Sequence, residues 1–209
     1  SGQVASMSRI QSTARRLQAY YGDRGYLHAA ARPNIEPHAE QGTVDLGFSI
    51  REGDLVYIRN IIVRGNTRTK DKVVRRELQV YPGDIYNQSR VQRSERRVTN
   101  LGFFENVRAL PEQTGNPDER DLVFNVTEKR TGQFMLGAGF SSVDNLIGFA
   151  ELSQGNFDIL GWPNFTGDGQ KLRLRAQFGS TRKDYELSII EPWFLNRRLS
   201  LGFDIYRRD

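Results

Sequence analysis

The chain is 209 residues long, with 37% hydrophobic and 26% charged residues and a formal net charge of +5. That is room for roughly one large or two to three small domains, and no window approaches the ~18 consecutive apolar residues that a membrane-spanning helix needs. Cysteine is absent, which excludes disulfides, thiolate catalysis and cysteine-bound zinc, and the basic residues are interleaved with acids along the whole chain, a distribution that argues against a nucleic-acid partner.

The opening residues Ser1-Gly2-Gln3-Val4-Ala5-Ser6 lack the basic start and apolar core of a secretory signal, so an internal stretch of a longer protein is expected. From Ser8 to Arg24, Ile10, Ala14, Leu17 and Tyr21 recur at helical spacing opposite Arg9, Arg15, Arg16 and Gln18, which predicts an amphipathic helix ended by Gly22 and Gly25. Two strands follow, over 27–36 and 44–52, joined by a polar turn at His38 to Gly42; Leu46, Phe48 and Ile50 alternate, which predicts one buried face.

The stretch from Val56 to Thr69 reads as strand, turn and helix start. Val56, Ile58, Ile61 and Val63 take one face and Tyr57, Asn60, Ile62 and Arg64 the other, with a phase slip at Arg59-Asn60 that predicts a bulge. Gly65-Asn66 supplies the sharp turn, and Thr67 or Thr69 is the expected cap of a helix over 70–80. A Pro82-Gly83 break precedes a second helix, 88–101, with Val91, Ser94, Val98 and Leu101 inward and Gly102 closing it. Strands are predicted over 104–110 and 121–128. The segments Arg16 to Leu27 and Arg97 to Phe104 repeat one plan, a basic helix ending in glycine and an aromatic residue, so the first module is read as lacking its opening strand and helix.

Beyond Gln133 helical periodicity gives way to alternation. Phe134, Leu136, Ala138 and Phe140 oppose Met135, Gly137, Gly139 and Ser141; Leu172, Leu174, Ala176 and Phe178 oppose Lys171, Arg173, Arg175 and Gln177; Tyr185, Leu187 and Ile189, then Leu199, Leu201, Phe203 and Ile205, continue the theme. Runs of roughly nine to eleven residues match tilted strands that cross a bilayer, and Trp162, Trp193 and Phe194 near strand ends match an interfacial girdle. About five strands are too few to close a barrel of about eight, so the expected architecture is a truncated one. A half-buried sheet in a soluble protein would give the same alternation.

These residues resemble the BamA family of outer-membrane assembly factors. The resemblance rests on Val63-Arg-Gly-Asn-Thr67, Val74-Arg-Arg-Glu-Leu78, Leu101-Gly-Phe-Phe-Glu-Asn-Val107 and Val126-Thr-Glu-Lys-Arg-Thr-Gly132, with Asn156 to Gly161 similar to the first barrel hairpin region and Glu191-Pro-Trp-Phe194 to a family turn. It implies α+β POTRA modules of β-α-α-β-β order followed by antiparallel strands of a truncated transmembrane β-barrel. Residues 1–53 would be a partial penultimate module, 54–130 the last module and 131–209 the first barrel strands. It further implies the outer membrane of a Gram-negative bacterium, POTRA modules in the periplasm, and assembly and insertion of β-barrel proteins. The alternatives are a two-partner secretion transporter of the same superfamily and a soluble β-rich binding module.

No catalytic constellation emerges, and neither an enzymatic role nor a cofactor is expected. His28 and His38 have no ligand spacing, Gly137-Ala-Gly139 lies within a strand, and Glu128, Asp144, Glu151 and Asp158 are read as charges on lumenal or periplasmic faces. The expected functional features are edges: the margins of the POTRA sheet, and a seam strand of Gln133, Phe134, Met135, Leu136, Gly137, Ala138, Gly139 and Phe140 that an incoming strand could extend. Gly132, Gly137 and Gly139 either loosen that strand or relieve crowding. Arg75, Arg76 and Glu77 on one helix, with Arg93, Arg96 and Arg97 on the next, are read as an exposed, solvated face, with the alternative, which the resemblance supports, of a docking surface for an accessory lipoprotein. The implied partners are unfolded outer-membrane proteins, accessory periplasmic lipoproteins, outer-membrane lipid and a second copy paired edge to edge.

Overall fold

A computed structural model describes residues 6–141 and 145–209, which form two compact units. One comprises Ser1–Arg64, Leu78–Arg97 and Arg108–Asn125; the other comprises Gly65–Glu77, Val98–Val107 and Val126–Asp209.

In the first unit, α1 (Met7–Gly22) buries Ile10 against the hairpin of β1 (Ala30–His38) and β2 (Thr43–Arg51). The expected buried face of β2 is corrected. Leu46 is 44% and Ile50 40% exposed, because a two-stranded ribbon with one helix offers nothing to cover the second strand. β3 (Tyr57–Arg64) pairs in parallel with β5 (Glu119–Glu128), and their register shifts between Ile58 and Ile61, where the phase slip predicts a bulge. The bulged Arg59 turns its guanidinium onto both oxygens of Asp121, with Nε donating over 2.9 Å. Val56, Ile58 and Ile61 are buried, and β5 is buried on both faces at Leu122, Val123 and Phe124.

α3 (Gln88–Asn100) is capped twice. Asn87 Oδ1 accepts from the Arg90 N–H at 2.8 Å, while Asp23, at the end of α1, receives the N–H and hydroxyl of Ser89, both at 2.8 Å. A carboxylate at a helix N-terminus satisfies orphan donors and meets the positive end of the helix dipole, which ties the end of α1 to the start of α3. Val56 N–H donates to Gly25 O at 3.0 Å in the same joint. Gly25 adopts φ +100°, and a Cβ there would lie 2.6 Å from Leu55 Cδ1, so both conformation and space require glycine. Ser94, fully buried, donates to Arg90 O and accepts from Gln79 N–H.

β3, β5 and β4 (Phe104–Gln113) form a three-stranded sheet in the order β3-β5-β4. The predicted helix over 70–80 is a single turn, α2 (Asp71–Arg75). Leu78 and Val80 are nevertheless buried, in extended chain beyond that turn.

In the second unit, β6 (Gly132–Ser141), β7 (Asn145–Phe157), β8 (Gln170–Phe178), β9 (Lys183–Glu191) and β10 (Leu201–Arg208) form one antiparallel sheet in the order β10-β9-β8-β7-β6. The cross-strand register places Phe134 opposite Leu152, Leu152 opposite Leu174, Leu174 opposite Leu187 and Leu187 opposite Ile205, so a continuous apolar row crosses the sheet on one face. The other face carries Glu151, Arg173, Arg175 and Glu186, with Glu151 3.1 Å from Arg173 and 3.9 Å from Arg175. Asn156 and Phe157 close β7, the second strand of the first hairpin, and residues 158–161 open the connection from β7 to β8.

The buried Phe124 and the half-exposed Leu46 make a direct test of where the core lies. Phe124→Ala should cost ~3–5 kcal/mol by urea unfolding, whereas Leu46→Ala, on an open ribbon, should cost less than ~1 kcal/mol. Equal losses would overturn this assignment of the core.

Candidate functional site

β6 holds the edge of its sheet. It pairs with β7 along its whole length, and among the described residues its other margin pairs with no strand. Phe134, Leu136 and Phe140 are 65%, 71% and 88% exposed on the apolar face. The three glycines differ. A Cβ on Gly137 would lie 2.3 Å from the Phe149 ring on β7, so this glycine makes room for a cross-strand aromatic, itself 5.1 Å from the Arg175 guanidinium. Gly139 meets nothing within 4 Å, and a Cβ on Gly132 would meet only the Gln154 side chain, at 3.5 Å. Crowding therefore accounts for Gly137 alone.

The margins of the β3-β5-β4 sheet are partly taken. Ile58 N–H donates to Asp84 O, Gly83 N–H to Ile58 O and Tyr86 N–H to Val56 O, which covers the first half of β3 with the segment 83–86. On β4 the Ala109 N–H donates to Glu95 Oε1 at 2.6 Å, a side chain standing in for a strand. The β1-β2 ribbon has no such cover among the described residues.

A cluster that the sequence pattern did not reveal anchors the start of the five-stranded sheet. Glu128 is 6% exposed, and its carboxylate accepts from Thr69 N–H at 2.6 Å, Arg68 N–H at 3.1 Å and Thr67 Oγ1 at 2.9 Å. Burial alone would raise its pKa, but the hydrogen bonds from Thr69, Thr67 and Arg68 outweigh that and hold it at about 2. Thr67 and Thr69 are therefore not helix caps, as expected; Lys70 occupies the cap position without a side-chain bond, because Glu128 has claimed both threonines. Gly65, at φ +93°, lets this loop lie on β5: a Cβ there would fall 2.0 Å from Val126 O.

The same loop grips the connection from β7 to β8. Asn156, 2% exposed, donates from Nδ2 to Thr69 Oγ1 and accepts the Gly169 N–H on Oδ1, both at 2.9 Å, while Lys70 N–H donates to Gly167 O at 2.8 Å. Lys70 Nζ lies 2.7 Å from Asp158 and 3.3 Å from Asp168, and Lys72 Nζ 2.6 Å from Asp168. Hydrogen bonding to Asp158 holds the Lys70 ammonium above its ordinary range. Asp158 is 1% and Glu151 9% exposed, so neither is the solvated surface charge expected; each is a buried acid paired with a base. Asp144 lies outside the described residues.

Chain similarity fits this arrangement. The family described as POTRA, surface antigen variable number repeat, matches residues 1–53 and 56–129, and the Omp85 superfamily domain matches 164–209. The chain belongs to the POTRA family, in the BamA branch of the Omp85 superfamily. It is 36% identical over 192 residues to the outer membrane protein assembly factor BamA of Neisseria meningitidis serogroup B, covering 91% of this chain and 23% of that protein. A crystal structure of Haemophilus ducreyi BamA lacking POTRA domains 1–3 superposes with a TM-score of 0.89 at 28% identity, covering all of this chain and 38% of that one. CdiB from Acinetobacter baumannii shares the fold alone, at 14% identity and a TM-score of 0.51 over 99% of this chain and 37% of that one. The chain spans about a quarter of the length of the curated relatives it matches. As a BamA-family chain it is an outer-membrane protein whose POTRA modules lie in the periplasm.

The expected docking face is altered. Glu77 is buried, not exposed, and accepts the indole N–H of Trp193 at 3.1 Å; Arg76 is half-buried, 5.5 Å from the same ring, and burial pulls its pKa down. The cause is that α2 ends at Arg75, so Arg76 and Glu77 lie beyond the helix and not on its outer face. Trp193 is thus an anchor residue in this BamA-type chain, and not the free girdle residue expected. Arg75, paired with Asp71, is exposed, as are Arg93 and Arg96, while Arg97 is half-buried.

The depressed pKa of Glu128 sets a pH window. Its ordinary value is 4.5, so its contribution is present in full above that pH and is lost as pH falls from there towards about 2. Denaturant unfolding followed from about pH 6 to pH 2 should show a loss on the order of 2–3 kcal/mol that is absent in Glu128→Gln. An unchanged acid limb in that variant would count against the assignment. Asn156→Ala should cost ~2–3 kcal/mol at neutral pH, since it leaves the Thr69 hydroxyl and the Gly169 N–H unpaired.

Proposed function

We propose that this chain belongs to an outer-membrane β-barrel assembly factor that receives unfolded clients by strand addition, first at POTRA margins and then at β6. The observation that carries this reading is the light packing of β6, where Gly139 meets nothing within 4 Å and Gly132 only the Gln154 side chain, in a strand whose Phe134, Leu136 and Phe140 lie exposed on the apolar face. Residues 1–53 and 54–130 act as successive POTRA modules and 131–209 as the opening barrel strands.

The physics favours pairing at this margin. A backbone N–H or C=O left unpaired in lipid costs several kcal/mol, so an edge strand in the bilayer is driven to accept a partner. A client hairpin that adds there satisfies its own groups and buries its apolar face in the same step, without any cofactor. The seam strand Gln133, Phe134, Met135, Leu136, Gly137, Ala138, Gly139 and Phe140 is the proposed acceptor. Within the POTRA sheet, β4 away from Ala109 and the end of β3 beyond Ile61 remain as acceptor margins, together with the β1-β2 ribbon. Arg75, Arg93 and Arg97 serve as contacts for an accessory periplasmic lipoprotein; Arg76 and Glu77 instead contribute by holding Trp193.

Two measurements test this. In vesicles, the complete protein should speed the folding of several unrelated unfolded barrels, and a cysteine pair that ties β6 to the closing strand should abolish the acceleration when oxidised and restore it when reduced. Acceleration indifferent to oxidation would overturn the seam role, and ion conductance without acceleration would favour a two-partner secretion pore. Arg75→Glu with Arg93→Glu should release the lipoprotein in a pull-down, and retained binding would remove those residues from the interface.

A further inference from the structure

At the end of the five-stranded sheet that continues from β5, the β7–β8 and β9–β10 connections leave an unusual surface. Ile159, Leu160 and Trp162 are 50%, 86% and 80% exposed, although water offers such side chains no partner. The register explains where they point. Phe157 lies opposite Gln170, in step with Leu172 and Leu174, so it falls on the apolar side of the sheet. Phe165 stacks on Phe157 at 6.2 Å, and Trp162 stands edge-on to Phe165 at 5.5 Å. The exposed tip is therefore the continuation of the lipid-facing band below the last row of strand residues.

The neighbouring connection, between β9 and β10, repeats the composition and adds charge. Leu195 and Leu199 are 74% and 57% exposed, and between them Arg197 and Arg198 are exposed without a carboxylate within salt-bridge distance among the described residues. Arg198 lies 5.6 Å from the Trp193 ring, which holds its stem against the sheet. Of the other basic residues near these turns, Lys70 is matched by Asp158 and Lys72 by Asp168, while Arg76 is half-buried beside Trp193. Two unmatched guanidinium groups beside apolar tips at one end of a transmembrane sheet have the chemistry of a phospholipid interface, in which the acyl boundary takes the tips and the phosphate takes the cations.

We propose that these two turns form a seat for an anionic glycerophospholipid of the periplasmic leaflet, with Leu160, Trp162, Leu195 and Leu199 in the acyl boundary and Arg197 and Arg198 on the phosphate. The occupant is a lipid because the tip is continuous with the apolar face of an outer-membrane sheet. The seat rests on membrane placement and not on assembly activity, so either can fail without the other.

The complete protein in phosphatidylcholine vesicles, probed with spin-labelled phosphatidylglycerol and spin-labelled phosphatidylcholine, reads the preference directly as the fraction of each label immobilised at the protein. Phosphatidylglycerol should associate more strongly by up to ~30-fold, the equivalent of about 1 kcal/mol for each of the two arginines near the surface. Arg197→Gln with Arg198→Gln should bring it down to the phosphatidylcholine level, while Arg197→Lys with Arg198→Lys retains the preference and shows that charge, not folding, was removed. Equal immobilisation of both lipids by the unaltered protein, as expected if these arginines face a protein partner, or an undiminished preference in the glutamine variant, would overturn the proposal.

Discussion

The carboxylate of Glu128 is the point on which the second unit depends. It closes β5, four residues before β6 begins, and it gathers the backbone of residues 68 and 69 and the hydroxyl of Thr67 around itself. With that loop fixed, the Thr69 hydroxyl and the Lys70 backbone are correctly placed for Asn156 and Gly167. Each bond in the series positions the donor of the next. The Asn and the two Thr are short and have few rotamers to lose, and the longer Glu128 is held by several donors at once, whereas surface pairs of long side chains spend much of their attraction on ordering.

Glycine enforces the close approach at this anchor. At Gly167, φ is +129° and a Cβ would stand 2.2 Å from Arg68 O; at Gly65 the equivalent distance to Val126 O is 2.0 Å. Backbone on backbone at such range leaves no room for a side chain, so two glycines far apart in sequence set one interface. Charge then finishes it. Lys70 and Lys72 face Asp158 and Asp168, whose burial would be costly without those partners.

Alternation and glycine breaks made the broad design legible in the sequence. The bulge at Arg59-Asn60, the inward Ser94 and the apolar row through Phe134, Leu174 and Leu187 follow from the period of two or 3.6, because those periods are local properties of the backbone. β7 was not singled out: Ile147 and Phe149 fall on its polar face, so the alternation is broken just where Phe149 fills the space above Gly137. The anchor was invisible for a different reason. Thr67, Thr69, Asn156 and Glu128 look like cap and turn residues, and their partners lie up to 87 residues away. Arg76 and Glu77 misled because a run of charges reads as a solvated helix face, and only the brevity of α2 turns them towards Trp193.

The anchor and the open margin of β6 make opposite demands on one sheet, and their separation reconciles them. β7 carries the anchor through Asn156 while β6 carries the open margin, and ten residue pairs join the two strands. A strand that must exchange partners needs its other side held, or it would leave with the partner it releases. In the proposed role, the firm pairing with β7 supplies that hold. Gly137 fits the same logic: by admitting the Phe149 ring it tightens β6 onto β7, while Gly139, which meets no neighbour, leaves the rest of the strand lightly packed. Under the proposed strand addition, an incoming hairpin would meet a template fixed in register by its ten pairs with β7.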